Sequence, residues 1–115
     1  MDGKNRIVKE ILDSVEKKME SGESLSLEAM EAHTGYSRFY LNRIFSEVTG
    51  CTIHRYIMER RLTEVARKLV ETDKTIVEIS CEADYQSQQA FTLAFQRVYG
   101  CTPMAYRERK HFTPL

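Results

Sequence analysis

The chain has 115 residues, with 17 basic groups against 17 acidic ones and a formal net charge of zero. Hydrophobic residues make up 42%, enough for a packed core and too many for disorder. With two prolines, five glycines, no apolar run near the ~20 residues of a bilayer span and no signal-peptide core after Met1–Arg6, the composition excludes membrane, secreted, collagenous and disordered classes; a compact cytoplasmic protein is expected.

Apolar spacing is helical along nearly the whole chain. Ile7, Val8, Ile11, Leu12, Val15 and Met19 form one stripe of a first helix, over roughly residues 4 to 21 and stopping near Gly22. Leu27, Ala29 and Met30 line a short second helix with Ser26 as N-cap and Gly35 past its end. A third helix starts at Ser37, stops at Gly50, and is expected to bury Leu41, Ile44, Phe45 and Val48. A long fourth helix follows Thr52 and carries Ile53, Ile57, Leu62, Val65, Ala66 and Leu69. The fifth opens on Thr75-Ile76-Val77-Glu78, the pattern of a reciprocal capping box. The sixth holds Phe91, Ala94, Phe95 and Val98 between Ser87 and Gly100. The seventh begins Thr102-Pro103, an N-cap followed by proline at the first helical position. No stretch alternates with period two long enough to be a strand. The fold class is all-α, with seven helices.

Cysteine and histidine give no site. Cys51, Cys81 and Cys101 have the spacing of neither a disulfide framework nor a zinc site, and Cys51-x-x-His54 has no second pair to complete four ligands. No phosphate loop, nucleophile elbow or metalloprotease motif occurs, so no enzyme, metal or cofactor is expected.

The most informative feature is an internal repeat. Gly50-Cys51-Thr52 recurs as Gly100-Cys101-Thr102, and Tyr56 is matched by Tyr106. At the same offset Ser37 meets Ser87, Leu41 meets Phe91, Phe45 meets Phe95 and Val48 meets Val98. Upstream the offset shortens by one: Leu27 meets Ile76, Met30 meets Ile79 and Tyr36 meets Tyr85. The slip falls in a turn, where an insertion costs least. Each copy is a short helix, a tight turn and a second helix, the pattern of a helix-turn-helix whose second helix enters the DNA major groove. Gly35 takes a left-handed turn position without cost, and Asp84 stands in its place in the second copy at some strain.

On the third helix Phe39, Asn42, Arg43 and Ser46 lie about 200° from the core stripe and face outward. The matching stripe of the sixth helix is Gln89, Thr92, Leu93 and Gln96, with Gln88 beside it. Solvated faces are usually rich in Glu and Lys, and these stripes contain neither. Their residue types suit base edges: Arg for guanine, Asn or Gln for adenine, apolar groups or Thr for thymine methyls. Neutral charge argues against DNA, but its distribution softens the objection. Residues 1–35 carry net −3, residues 36–75 net +3 and residues 76–115 net zero. The positive share includes Arg38, Arg43, Arg55, Arg60, Arg61, Arg67 and Lys68, and the second unit is expected to bind more weakly.

Over roughly residues 5–110 the chain resembles the DNA-binding domain of the AraC/XylS family of bacterial transcription regulators, and within it the small stand-alone members. The resemblance is most specific in Gly35–Phe45, in Asp84–Thr92, and in the link Tyr56-Ile57-x-x-Arg60-Arg61-Leu62. It implies two helix-turn-helix units of homeodomain-like three-helical form, at 5–50 and 73–110, joined by a linker helix at 52–72, with 1–115 as one DNA-binding domain. It maps base contacts to Phe39, Asn42 and Arg43 in the first unit and to Gln88, Gln89 and Thr92 in the second. Contacts to the DNA backbone are expected at Ser37, Arg38, Ser46, Ser87 and Gln96. The stand-alone members commonly have tryptophan at 39, glutamine at 42, glycine at 84 and arginine at 93; Phe39, Asn42, Asp84 and Leu93 depart from that pattern, so a different preferred operator is implied.

The leading expectation is a sequence-specific transcription regulator, an activator that also contacts RNA polymerase. If the chain is full length it has no small-molecule effector site, and its activity is set by its amount; it is alternatively one domain of a longer protein. A helical protein-interaction module or anti-regulator that does not bind DNA is the competing class. The linker helix, about 27 Å at ~1.5 Å per residue, is compatible with major-groove faces about 34 Å apart, so a monomer is expected to bind an asymmetric site on one face of DNA, with some bending.

Overall fold

The computed structural model describes residues 3–21 and 26–115. Seven helices occur among them: α1 (Gly3–Ser21), α2 (Leu27–Thr34), α3 (Arg38–Thr49), α4 (Ile53–Glu71), α5 (Ile76–Glu82), α6 (Gln88–Tyr99) and α7 (Pro103–Arg109). No strand occurs among the described residues. The all-α expectation and the seven helices therefore hold. The expected stop of α1 at Gly22 lies outside the described residues.

The helix starts follow from capping chemistry. Ser26, Ser37, Thr75, Ser87 and Thr102 are extended residues whose hydroxyl oxygens accept a backbone N–H three residues on. Thr52 does the same for Arg55. Pro103 occupies the first position of α7, where its missing N–H has no intrahelical partner to lose. Gly35, Gly50 and Gly100 are left-handed, with φ of 79°, 81° and 78°. The Thr75 capping box forms only in half. The Glu78 carboxylate accepts from the Thr75 hydroxyl at 3.2 Å, not from the backbone N–H that a reciprocal box needs.

The chain divides into two units, Met1–Met58 and Glu59–Leu115, with the division inside α4. In the first unit Ile7, Val8, Ile11 and Val15 of α1 pack with Met30 of α2, Leu41, Ile44 and Phe45 of α3, and Ile53 and Ile57 of α4. Val48 departs from expectation: it is 44% exposed. It lies in the last turn of a short helix, one turn past Phe45, beyond the neighbours that cover the earlier turns.

The second unit buries Leu62, Val65, Ala66 and Leu69 of α4 with Ile79, Phe91, Phe95 and Tyr106. Here the core is aromatic. The Phe95 ring lies 4.6 Å from Tyr99, 5.4 Å from Tyr106 and 6.2 Å from Phe91, centroid to centroid. Ala94 and Val98 are only half-buried. Packing thus fixes which side of α3 and of α6 is left to face solvent.

Candidate nucleic-acid interface

In the first unit α2, the Gly35 turn and α3 form one helix-turn-helix. The Thr34 hydroxyl donates to Met30 O at 2.7 Å and accepts the Tyr36 N–H at 3.2 Å, closing the end of α2. Glu31 then clasps the two helices. Its carboxylate accepts the Arg38 backbone N–H at 2.9 Å and the Arg38 guanidinium at 2.9 and 3.2 Å. These donors, the backbone N–H first, hold the Glu31 carboxyl below its ordinary value, and the same pairing raises Arg38.

The outward side of α3 presents Phe39, 83% exposed, and Arg43, with 68% of its side chain exposed. The Tyr36 and Tyr40 rings lie 5.0 Å apart at the same end, and the Arg43 guanidinium carbon is 5.8 Å from the Tyr40 ring centre. Glu47 stands 3.7 Å from Arg43 Nε and is held at 2.9 Å by Lys4 of α1. Lys4 first, and Arg43 as a lesser cause, lower the Glu47 carboxyl. Arg43 is therefore a cation aimed outward between a ring and a restrained carboxylate.

Asn42 and Ser46 are also on the outward stripe, but both are half-buried and engaged. Asn42 Oδ1 accepts the Ile53 backbone N–H at 3.2 Å, and the Ser46 hydroxyl donates to Cys51 O at 3.2 Å. Arg38 is likewise occupied by Glu31, with Glu28 3.9 Å away. Ser37 accepts the Tyr40 N–H and keeps its own proton for another acceptor.

In the second unit α5, the turn at Asp84 and α6 repeat the motif. Asp84 is left-handed, with φ 68°, as its match to Gly35 requires. Arg61 of α4 reaches its carboxylate at 3.9 Å. Gln88, Gln89 and Gln96 are exposed, Thr92 is half-buried, and Leu93 is 56% exposed. Ser87 caps α6 through the Ala90 N–H. No clasp like Glu31–Arg38 occurs, because the matched positions are Ser80 and Gln88.

The basic share of residues 36–75 is largely paired within the fold. Arg60 and Arg67 meet Glu64, Lys68 and Lys74 meet Glu82, and Arg61 meets Asp84. Of these cations Arg67 and Lys74 are exposed, and their pairs are of the weak, solvent-screened kind; Arg60, Arg61 and Lys68 are half-buried. Neither the clasps nor the Asn42 and Ser46 bonds were legible in the sequence; the one available signal was the pairing of Asn42 with Ile53 against Thr92 with Pro103 across the repeat.

No group of three metal-ligating side chains occurs among the described residues, and no described helix is long and apolar enough to cross a membrane. A groove of about 510 Å³ in the first unit is lined by Glu10, Asp13, Lys17, Lys18 and His33 among others.

Comparison with known proteins agrees with this geometry. The family described as "Helix-turn-helix domain" matches residues 30–109. The chain is 34% identical over 102 residues to the probable transcription factor PqrA of Proteus vulgaris, covering 89% of this chain and 84% of that protein. It is 37% identical over 97 residues to the multiple antibiotic resistance protein MarA of Escherichia coli K12, covering 84% of this chain and 75% of MarA. Among solved structures, a transcriptional regulator from Chromobacterium violaceum described by AraC-type DNA-binding domain-containing proteins superposes with a TM-score of 0.83 at 26% identity, covering 94% of this chain and 95% of that one.

Proposed function

Because the chain belongs to the AraC-type helix-turn-helix family of transcription regulators, we propose that it is a sequence-specific DNA-binding activator. Its two units read adjacent major-groove segments of one asymmetric site. The observation that carries this reading is the pair of outward stripes, Phe39-Asn42-Arg43 on α3 and Gln88-Gln89-Thr92 on α6, free of Glu and Lys and opposite the buried Leu41-Ile44-Phe45 and Phe91-Phe95. Arg43 is suited to a guanine edge, Phe39 to a thymine methyl, and the glutamines to adenine. Ser37, Ser87 and Gln96 keep polar groups for phosphates; Arg38 reaches them only by yielding part of its bond to Glu31.

The protein acts as a monomer in the cytoplasm, without cofactor or catalysis, and contacts RNA polymerase from surfaces outside the two stripes. Regulation without a small molecule bound in this chain belongs to the same reading. The experiment is selection of bound duplexes from a random pool, followed by titration of a selected and a scrambled duplex at several salt concentrations. Specific binding that weakens steeply with salt supports the reading. The internal pairing of the cations favours one alternative, a protein-interaction module, which requires almost no DNA binding at any salt.

A further inference from the structure

We infer that Asn42 reads DNA through its amide N–H groups alone, so that the first unit selects a hydrogen-bond acceptor at that base, typically the N7 shared by adenine and guanine, and does not single out adenine. The inference rests on the DNA-reading role proposed above and specifies its chemistry at one position.

Ile53 is the first residue of α4, so its N–H has no partner within the helix. Ile53 is fully buried, and water is a poor substitute there. Asn42, eleven residues back on α3, supplies the acceptor at 3.2 Å. The donor is an N–H, so the Asn42 atom facing it must be Oδ1. Bidentate recognition of adenine needs the amide oxygen and the amide nitrogen presented together to N6 and N7. With one Oδ1 lone pair committed to the α4 backbone, the amide is not free to swing both atoms onto an adenine edge, while Nδ2 keeps both of its protons for an acceptor.

The repeat supplies an independent check inside the same chain. At an offset of fifty, Asn42 matches Thr92 and Ile53 matches Pro103. Pro103 has no N–H to satisfy. The acceptor is present where the donor exists, and is replaced by a residue without a carbonyl where the donor is absent. Ser46 adds a second tie in the first unit, donating to Cys51 O at 3.2 Å, and its match in the second unit is Gln96. Asn42 is thus shared between helix positioning and recognition.

The test uses the full chain and duplexes selected from a random pool. Each base pair of the first half-site is varied in turn, for wild type, Asn42→Ala and Asn42→Thr. One purine position should tolerate adenine and guanine within about threefold, and lose its purine preference in Asn42→Ala. At that position 7-deazapurine should weaken wild type by about tenfold, one hydrogen bond's worth of ~1.4 kcal/mol, and leave Asn42→Ala unchanged. Removing the adenine N6 amino group with 2-aminopurine should leave wild type unchanged. Independently of DNA, Asn42→Ala and Asn42→Thr should both melt several degrees lower, because alanine has no acceptor and the threonine hydroxyl is one bond short of the position of Asn42 Oδ1. Adenine favoured over guanine by tenfold or more, with the preference erased in Asn42→Ala, would overturn this inference and leave DNA reading standing. Failure to select any sequence would overturn both.

Discussion

Phe95→Ala is expected to be the more damaging of two matched core truncations, and the difference follows from the packing. Phe95 and Phe45 occupy the same place in the repeat, and both are fully buried. Phe45 has one ring partner, Tyr56, with centroids 5.7 Å apart. Phe95 has three, stacked on Tyr99 and edge-on to Tyr106, with Phe91 tilted beside it. Truncating a buried phenylalanine to alanine costs about 3–5 kcal/mol. Each ring pair adds roughly 0.5–1.5 kcal/mol beyond the buried area. With two more ring pairs than Phe45, Phe95 should cost about 1–3 kcal/mol more on truncation, which places Phe45→Ala near about 4 kcal/mol and Phe95→Ala above about 5 kcal/mol. Domains hold only about 5–15 kcal/mol in total, so Phe95→Ala should leave the second unit unfolded or nearly so at room temperature. Urea titration followed by far-ultraviolet circular dichroism measures the loss, and amide exchange assigns it to a unit. Leu93→Ala, on the same helix but exposed, is the control and should stay within about 0.5 kcal/mol of wild type. A near-wild-type midpoint for Phe95→Ala, or a larger loss for Phe45→Ala, would refute the assignment of faces and the aromatic account of the second core.

Three further expectations follow from the interface. Arg43→Ala should weaken specific binding by about 1–3 kcal/mol and relax preference at one base pair, read by base substitution in a selected site; equal loss on every sequence would make Arg43 a phosphate contact. The Arg38 backbone N–H, and then its guanidinium, lower the Glu31 carboxyl, so this contact stabilises the fold above the ordinary carboxylate pKa near 4.5. The stability advantage of wild type over Glu31→Gln should be complete at neutral pH and disappear as pH falls through the lowered folded-state value; an advantage unchanged in acid would remove Glu31 as its source. Cys51 and Cys101, each half-buried between a stopping glycine and a capping threonine, should tolerate serine with DNA affinity within a few-fold, and loss of binding without unfolding would point to redox sensing.

The fold was legible because its punctuation is local. A hydroxyl three residues before a needed N–H, a glycine in a left-handed stop and a proline at a first helical position act within one turn of chain, so they could be read at Ser37, Gly50 and Pro103 without a structure. The outward stripes were legible for the same reason, since helical period alone sets Phe39 and Arg43 opposite Leu41 and Phe45. What distance in sequence hides is different. Glu31 meets Arg38 across a turn, and Asn42 meets Ile53 across a helix end, through side-chain geometry that no period reports. Local charge was misleading too: the positive balance of residues 36–75 is real, yet Arg60, Arg61, Arg67 and Lys68 meet carboxylates within the fold. Val48 kept the apolar period past the point where neighbours remain to cover it.

Both units are expected to read DNA from one chain. Hydroxyl-radical footprinting of a selected duplex, titrated with protein to a measured one-to-one stoichiometry, tests this most directly. The backbone flanking two adjacent major-groove segments on one face of an asymmetric site should be protected, with Gln89→Ala weakening the contact at one segment and Arg43→Ala at the other. Protection of a single segment, or occupancy of a palindrome by two chains only, would contradict this reading.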